Sequence, residues 1–111
     1  MDAVKALRIS QTDKHTHNAR AWTWATCPDA KYRDGRKSVE SATKACELTE
    51  WNEAGLIDTL AAAYAEVGDF ASAIKWQTKA LELETDSKNK EEYLARLKLY
   101  QEKKPYRDTT R

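Results

Sequence analysis

Apolar and small residues recur along this chain in a short motif, Lys-Ala-apolar-charged-apolar, at residues 5–9, 44–48 and 79–83. The first two copies lie 39 residues apart and the last two lie 35 apart. In a helical sequence, a period of this size indicates helix pairs that stack on one another. The spacing therefore predicts an all-α fold, an α-solenoid built from antiparallel helix pairs.

The apolar periodicity and the residues that punctuate it predict six helices. Asn52 and Asp69 precede apolar runs as N-caps, and Gly68 supplies a permissive turn residue directly before Asp69. Either Ser87 or Asn89 is expected to cap the last helix. The predicted helices span residues 2–9, 16–27, 36–48, 53–66, 70–84 and 88–103.

Residues 54–87 carry a set of small, large and aromatic residues at regular positions: Ala54, Leu60-Ala61, Tyr64, Gly68-Asp69-Phe70, Ala73, Ala80 and Leu83. This pattern resembles a tetratricopeptide repeat. That family has a large and a small residue in the first helix, an aromatic residue one turn later, Gly-Asp-aromatic at the turn, and two Ala in the second helix. The resemblance implies a fragment of a bacterial-type repeat protein whose helix pairs wind into a right-handed superhelix.

The segment departs from the pattern at three positions. Ile57 stands where Trp is usual, Thr85 where Pro is usual, and Gln77 where an apolar residue is usual. The packing around Gln77 is therefore the least certain part of the predicted repeat.

A looser copy precedes this repeat. Trp24-Ala25 corresponds to Leu60-Ala61 and Val39 corresponds to Ile74, but the two offsets differ by one residue. An irregular turn is therefore expected at residues 28–37. Because the residue before a proline avoids the helical region, Pro28 should end the first helix near Thr26 or Cys27.

These matches divide the chain into five segments. Residues 1–14 are expected to hold the end of a helix from a preceding repeat plus a linker, although a true N-terminal cap is an alternative. Residues 15–50 form a divergent repeat and 51–87 a regular one. Residues 88–104 form a capping helix, with Tyr93, Leu94, Leu97 and Tyr100 on its packing side, and 105–111 a disordered tail.

Charge and composition exclude several classes of function. The 111 residues carry 19 Lys and Arg against 18 Asp and Glu, a net charge of +1, so no basic surface for nucleic acid is expected. No apolar run is long enough for a membrane span, and no signal-peptide pattern is present. Cys27 and Cys46 are expected to be reduced, buried thiols, with a disulfide as the alternative, which favours a cytoplasmic location.

The sequence offers little chemistry for catalysis. His15 and His17 form the only metal-like cluster, but residues two apart on a helix point in different directions and no third ligand is near. Gly35, Gly55 and Gly68 have no phosphate-loop spacing. The chain is therefore predicted to be non-enzymatic, with no catalytic residues, no metal and no cofactor.

The resemblance implies that the first helix of each pair lines a concave groove for a partner. Residues four apart form one stripe on a helix, so the groove candidates flank the predicted core positions. A solvated face is the alternative for the charged candidates. The candidates are Trp22, Thr26, Asp58, Ala62, Glu66, Glu92, Arg96 and Tyr100.

Trp22 is the sharpest of these candidates because the other three Trp residues have structural positions available. Trp22 has two alternative roles: it is an aromatic anchor for a partner, or it packs against residues 2–9 or against an upstream repeat. The predicted function is binding of a peptide or helical segment of a protein partner. The alternative is self-association, with a homodimer formed through residues 2–9.

Overall fold

The computed structural model describes residues 14–109, and within that range the chain is all-helical with no β-strand. The α-helices are α1 (Lys14–Thr26), α2 (Gly35–Leu48), α3 (Ala54–Glu66), α4 (Phe70–Leu83) and α5 (Ser87–Gln101), with a short 3-10 helix at Ala30–Tyr32. Each end lies within two residues of its prediction. The predicted helix at 2–9 lies outside the described residues.

Aspartates begin three of the five helices. Asp34, Asp69 and Asp86 accept the backbone N–H of Lys37, Ser72 and Asn89, respectively, and so satisfy one of the unpaired donors at each helix start. The prediction for Asp69 is confirmed. The prediction that Ser87 or Asn89 caps the last helix is wrong, because Asp86 is the N-cap of that helix.

The start of α3 also differs from prediction. Its N-cap position is Glu53, with no side-chain cap, so Asn52 does not cap the helix. Glu50 and Trp51 both adopt a positive φ (55° and 62°), and this left-handed turn brings the chain into α3. The Trp51 ring stacks on Trp76 of α4 with 5.0 Å between ring centroids.

The irregular turn predicted at residues 28–37 contains the 3-10 helix. α1 ends at Thr26, as the proline two residues later predicts. The Arg33 guanidinium donates to the carbonyl of Cys27 at 2.7 Å, and the Asp34 N–H donates to the carbonyl of Trp24 at 2.9 Å. These bonds satisfy carbonyls at the C-terminal end of α1 and hold the turn against it.

Alanine forms most of the apolar core, which allows the helices to approach closely. Successive helices pack on one another, and α1 also packs on α3. Between α1 and α2, the buried Ser38 hydroxyl donates to the carbonyl of Ala21 at 2.6 Å. Gly35 lies so close to the end of α3 that an added Cβ would stand 2.5 Å from Cγ1 of Val67.

The packing side of α5 is rotated from its predicted position. Tyr93 and Tyr100 are buried as expected, but Leu94 is 46% exposed. The third buried residue on this side of α5 is Arg96, whose guanidinium pairs with a carboxylate on α3. The match of Leu94 to Leu60 therefore does not give the correct helical face.

Both cysteines are free thiols; Cys46 is buried and Cys27 is half-buried. Across the described part of the chain, no helix is both long and apolar enough to cross a bilayer.

Candidate functional site

The centre of the candidate site is a buried ion pair that joins α3 to α5. The Nε and Nη2 of Arg96 donate to the two carboxylate oxygens of Asp58 at 3.0 and 3.1 Å. Gln77 of α4 donates from Nε2 to Asp58 Oδ1 and to the carbonyl of Tyr93, both at 2.9 Å. The amide at an apolar position of the repeat pattern thus serves to bind a buried carboxylate.

Burial determines the electrostatics of this pair. It raises the pKa of Asp58, while the charge and hydrogen bonds of Arg96 and the hydrogen bond of Gln77 act in the opposite direction. Burial by itself lowers the pKa of Arg96, but the charge of Asp58 and its hydrogen bonds act oppositely and the pKa is raised. Arg96 therefore carries a full positive charge inside the protein, and Asp58 is its counterion.

Three aromatic rings surround the Arg96 guanidinium. Its central carbon lies 5.3 Å from the ring centroid of Trp22, 5.4 Å from that of Tyr93 and 4.9 Å from that of Tyr106. These distances fall within the range of cation–π attraction. Trp22 comes from α1 and Tyr106 from the segment after α5, so the guanidinium is the point at which distant parts of the chain meet.

Residues 105–108, which have no regular secondary structure, pack against α1. The Trp22 and Tyr106 rings pack with 5.7 Å between centroids, and Trp22 Nε1 donates to the Asp108 carboxylate at 2.7 Å. The Asp108 backbone N–H donates to the carbonyl of Thr26, the last residue of α1, at 2.8 Å. Residues 105–109 thus have a defined position where a disordered tail was predicted, and Trp22 packs on them; residues 110 and 111 lie outside the described residues.

Arg107 makes the third set of tail contacts. Its Nη1 lies 3.3 Å from the carbonyl of Ala25 and 2.8 Å from the carboxylate of Glu66 at the end of α3. On its other side, Glu66 faces Arg33 Nε at 3.3 Å. Neither arginine contact with Glu66 has hydrogen-bond geometry, so both are ion pairs. One carboxylate thus serves two cations from distant segments.

The predicted groove residues therefore differ in how deeply they are buried. Thr26, Asp58, Ala62, Arg96 and Tyr100 are buried, Trp22 and Glu66 are half-buried, and Glu92 is exposed. Sequence reasoning missed Tyr106, Arg107 and Asp108, whose short segment has no periodicity to indicate where it packs.

An open pocket of about 400 Å³ lies beside the tail. Helices α1, α3 and α5 form three of its walls and the tail forms the fourth. Its lining residues are Asn18, Trp22, Gly55, Asp58, Thr59, Asn89, Glu92, Tyr93, Arg96, Tyr106 and Asp108. The tail thus covers one part of the surface between these helices and leaves another part open.

Among the described residues, no group of three or more His, Cys, Asp or Glu side chains is placed to hold a metal ion. The chain matches no protein-family model, no curated protein and no solved structure. Assignment of a function therefore depends on the geometry of this surface.

Proposed function

We propose that this chain is a non-catalytic protein-interaction module in which α1, α3 and α5 line a groove for a segment of a partner protein. In this proposal α1–α2 and α3–α4 are two antiparallel, tetratricopeptide-like pairs and α5 is the cap. The contacts of α1 with both α2 and α3 support such a stack. The two free thiols favour a cytoplasmic location.

The observation that supports this proposal most strongly is the packing of residues 105–108. This segment has no regular secondary structure, and it bonds through its backbone to Thr26 and through a side chain to Trp22, two of the predicted groove residues. A surface that binds a non-helical piece of its own chain has donors, acceptors and ring faces that a peptide segment from another protein could use. The pocket beside it adds room for further side chains.

The test is to introduce a photo-crosslinking amino acid at Glu92, which is exposed at the pocket, and to identify the crosslinked partners. The matched control carries the same group at Lys44, which is exposed on α2 and does not line the pocket. The proposal predicts partners that crosslink from position 92 and not from position 44. A partner set that is the same from both positions would argue against the groove.

Partners found in this way should then be titrated against two variants. Loss of an anchor Trp commonly costs about 2 kcal/mol or more of binding, so Trp22→Ala should weaken a partner strongly at any salt concentration. Glu92→Lys changes an exposed charge and should act mainly on the association rate and at low salt. Circular dichroism must show that both variants fold. Arg96 is unsuitable as the charge variant because it is buried against Asp58.

A further inference from the structure

We propose that the tail at residues 105–109 is an internal ligand of the groove, and that the natural partner carries an aromatic–basic–acidic triplet that competes with it. This inference rests on the proposed function, since it names the partner class of the same groove. The tail triplet is Tyr106-Arg107-Asp108, and each of its three side chains has a separate recognition position.

The first position takes an aromatic ring. Tyr106 lies against the face of Trp22 and over the Arg96 guanidinium, at 5.7 and 4.9 Å, respectively. A ring is suited to this place because its negatively polarised face is attracted to the positive guanidinium. An aliphatic side chain would fill the space but would lose this attraction.

The second position takes a cation. The carbonyl of Ala25 lies in the last turn of α1, where the helix dipole is negative, and Glu66 adds a full negative charge from the end of α3. Arg107 is held by both. Arg33 also faces Glu66, so Arg107 shares this carboxylate with a second cation.

The third position takes a carboxylate and a backbone N–H together. The indole N–H of Trp22 can only donate, and it meets the Asp108 carboxylate. The Thr26 carbonyl, which has no partner within its own helix, accepts the Asp108 N–H. A residue here must therefore present a side-chain acceptor, which in the tail is a carboxylate, together with a backbone N–H directed at the Thr26 carbonyl.

The arrangement also allows competition. The tail contacts the groove with only a few residues and leaves the pocket beside Tyr106 and Asp108 open. A partner segment that supplies the triplet and extends into this pocket would make every contact of the tail and further ones. The tail, tethered to α5, acts at an effective concentration on the order of millimolar, so it suppresses weak partners and yields to stronger ones.

The experiment uses the full chain and a fluorescent peptide of residues 103–111 as the probe, followed by anisotropy. In the released variant, Tyr106, Arg107 and Asp108 are all replaced by Ser. If the tail is bound in nine molecules of ten, releasing it should tighten peptide binding about tenfold. A second variant, Arg107→Glu, releases the tail by placing a like charge beside Glu66 and covers the case in which the triple variant folds poorly.

Peptide variants test the three positions without altering the fold. Replacing Tyr106, Arg107 or Asp108 by Ala in the peptide should each weaken its binding to the released chain about tenfold, whereas Thr109→Ala, which changes an exposed residue, should not. Trp22→Ala in the released chain should abolish binding. These results together would establish the groove as a reader of the triplet.

Two results would overturn the inference. One is equal binding of the peptide to unmodified and released chains, which would show that the tail does not compete. The other is equal binding of the native and Ala-substituted peptides, which would show that the triplet is not read. If the peptide gives either of these results while binding of a crosslinked partner still depends on Trp22, this inference is wrong but the proposed function is supported. If partner binding is also independent of Trp22, both the inference and the proposed function are wrong.

Discussion

Replacing Arg96 by methionine tests the buried ion pair most directly. The substitution keeps an unbranched side chain of similar length but removes the charge and both hydrogen bonds to Asp58. Asp58 is only 4% exposed, so its carboxylate would be left in the core with Gln77 as its remaining hydrogen-bond donor among the contacts described above. Breaking a buried pair in this way costs about 3–5 kcal/mol of unfolding free energy.

That cost is a large fraction of the total for a small domain, whose free energy of unfolding is about 5–15 kcal/mol. The variant should therefore unfold at a much lower urea concentration, measured by circular dichroism with the slope of the transition as a check on two-state behaviour. Lys104→Met is the matched control. It removes a cation from a pair with Glu102 in which both side chains are more than half exposed, and should change little.

The same variant should respond to pH with a defined sign. Without Arg96, burial still raises the pKa of Asp58 and the main opposing influence is gone. As pH rises above about 3.9, the unfolded chain ionises before the folded one, so the folded state loses stability until the pH passes the raised pKa. The stability deficit against the unmodified protein should therefore be larger at pH 7 than at pH 4.5.

A double variant separates the charge from the packing. Asp58→Asn combined with Arg96→Met removes both charges and keeps an amide oxygen to accept the Gln77 hydrogen bond. It should be more stable than Arg96→Met alone at pH 7, and its advantage over Arg96→Met should be smaller at pH 4.5, because only the single variant still carries the titrating Asp58 carboxyl. A loss below about 1 kcal/mol in Arg96→Met, or a double variant as unstable as the sum of the two single changes, would refute the reasoning.

The glycines and the thiols give two further predictions. Gly68→Ala should lower the free energy of unfolding by about 1 kcal/mol in a urea titration, because Gly68 has a φ of +87°. Gly55→Ala should be neutral or stabilising, because Gly55 is exposed in the first turn of α3 and an added Cβ would lie 3.8 Å from the nearest atom; equal effects of the two substitutions would contradict this. Burial raises the pKa of Cys46 to about 12, so a thiol reagent at pH 8 should label Cys27 first and Cys46 only on unfolding, as mass spectrometry of the labelled peptides would show. Labelling of Cys46 at the same rate as Cys27 in the folded protein would contradict that order.

The helices could be predicted from the sequence because their signals are local. Gly68 and Asp69 mark the turn before α4 by a permissive backbone and a capping side chain, and both act within a few residues of the chain. Such signals place an element without reference to the rest of the fold. They do not give the face of a helix that is buried, which is why Leu94 was assigned to the packing side of α5 when it is exposed.

The site was predicted less completely because its contacts are long-range. Trp22 was identified as an unusual aromatic, but its partners lie more than 80 residues away in a segment with no periodicity. Asp58 and Arg96 were assigned to a solvent-facing groove, yet they pair in the interior. The signal that could have indicated this is Gln77, since an amide at an apolar position of the repeat predicts a polar partner in the core.

Under the proposed function, the position of Arg96 would also link the packing of α5 to the occupant of the groove. The guanidinium of Arg96 pairs with Asp58 and so joins α5 to α3. Its central carbon also lies 4.9 Å from the ring centroid of Tyr106 in the tail. The open pocket beside the tail is lined by Asp58 and Arg96, and Tyr106 covers the guanidinium from the tail side. Under the proposals above, release of the tail would expose the ion pair further to water and weaken the attraction between its two charges. A partner that places an aromatic ring over Arg96 would restore this cover, whereas one that contacts only Glu66 would not, so we expect the groove to prefer partners whose aromatic residue takes the place of Tyr106.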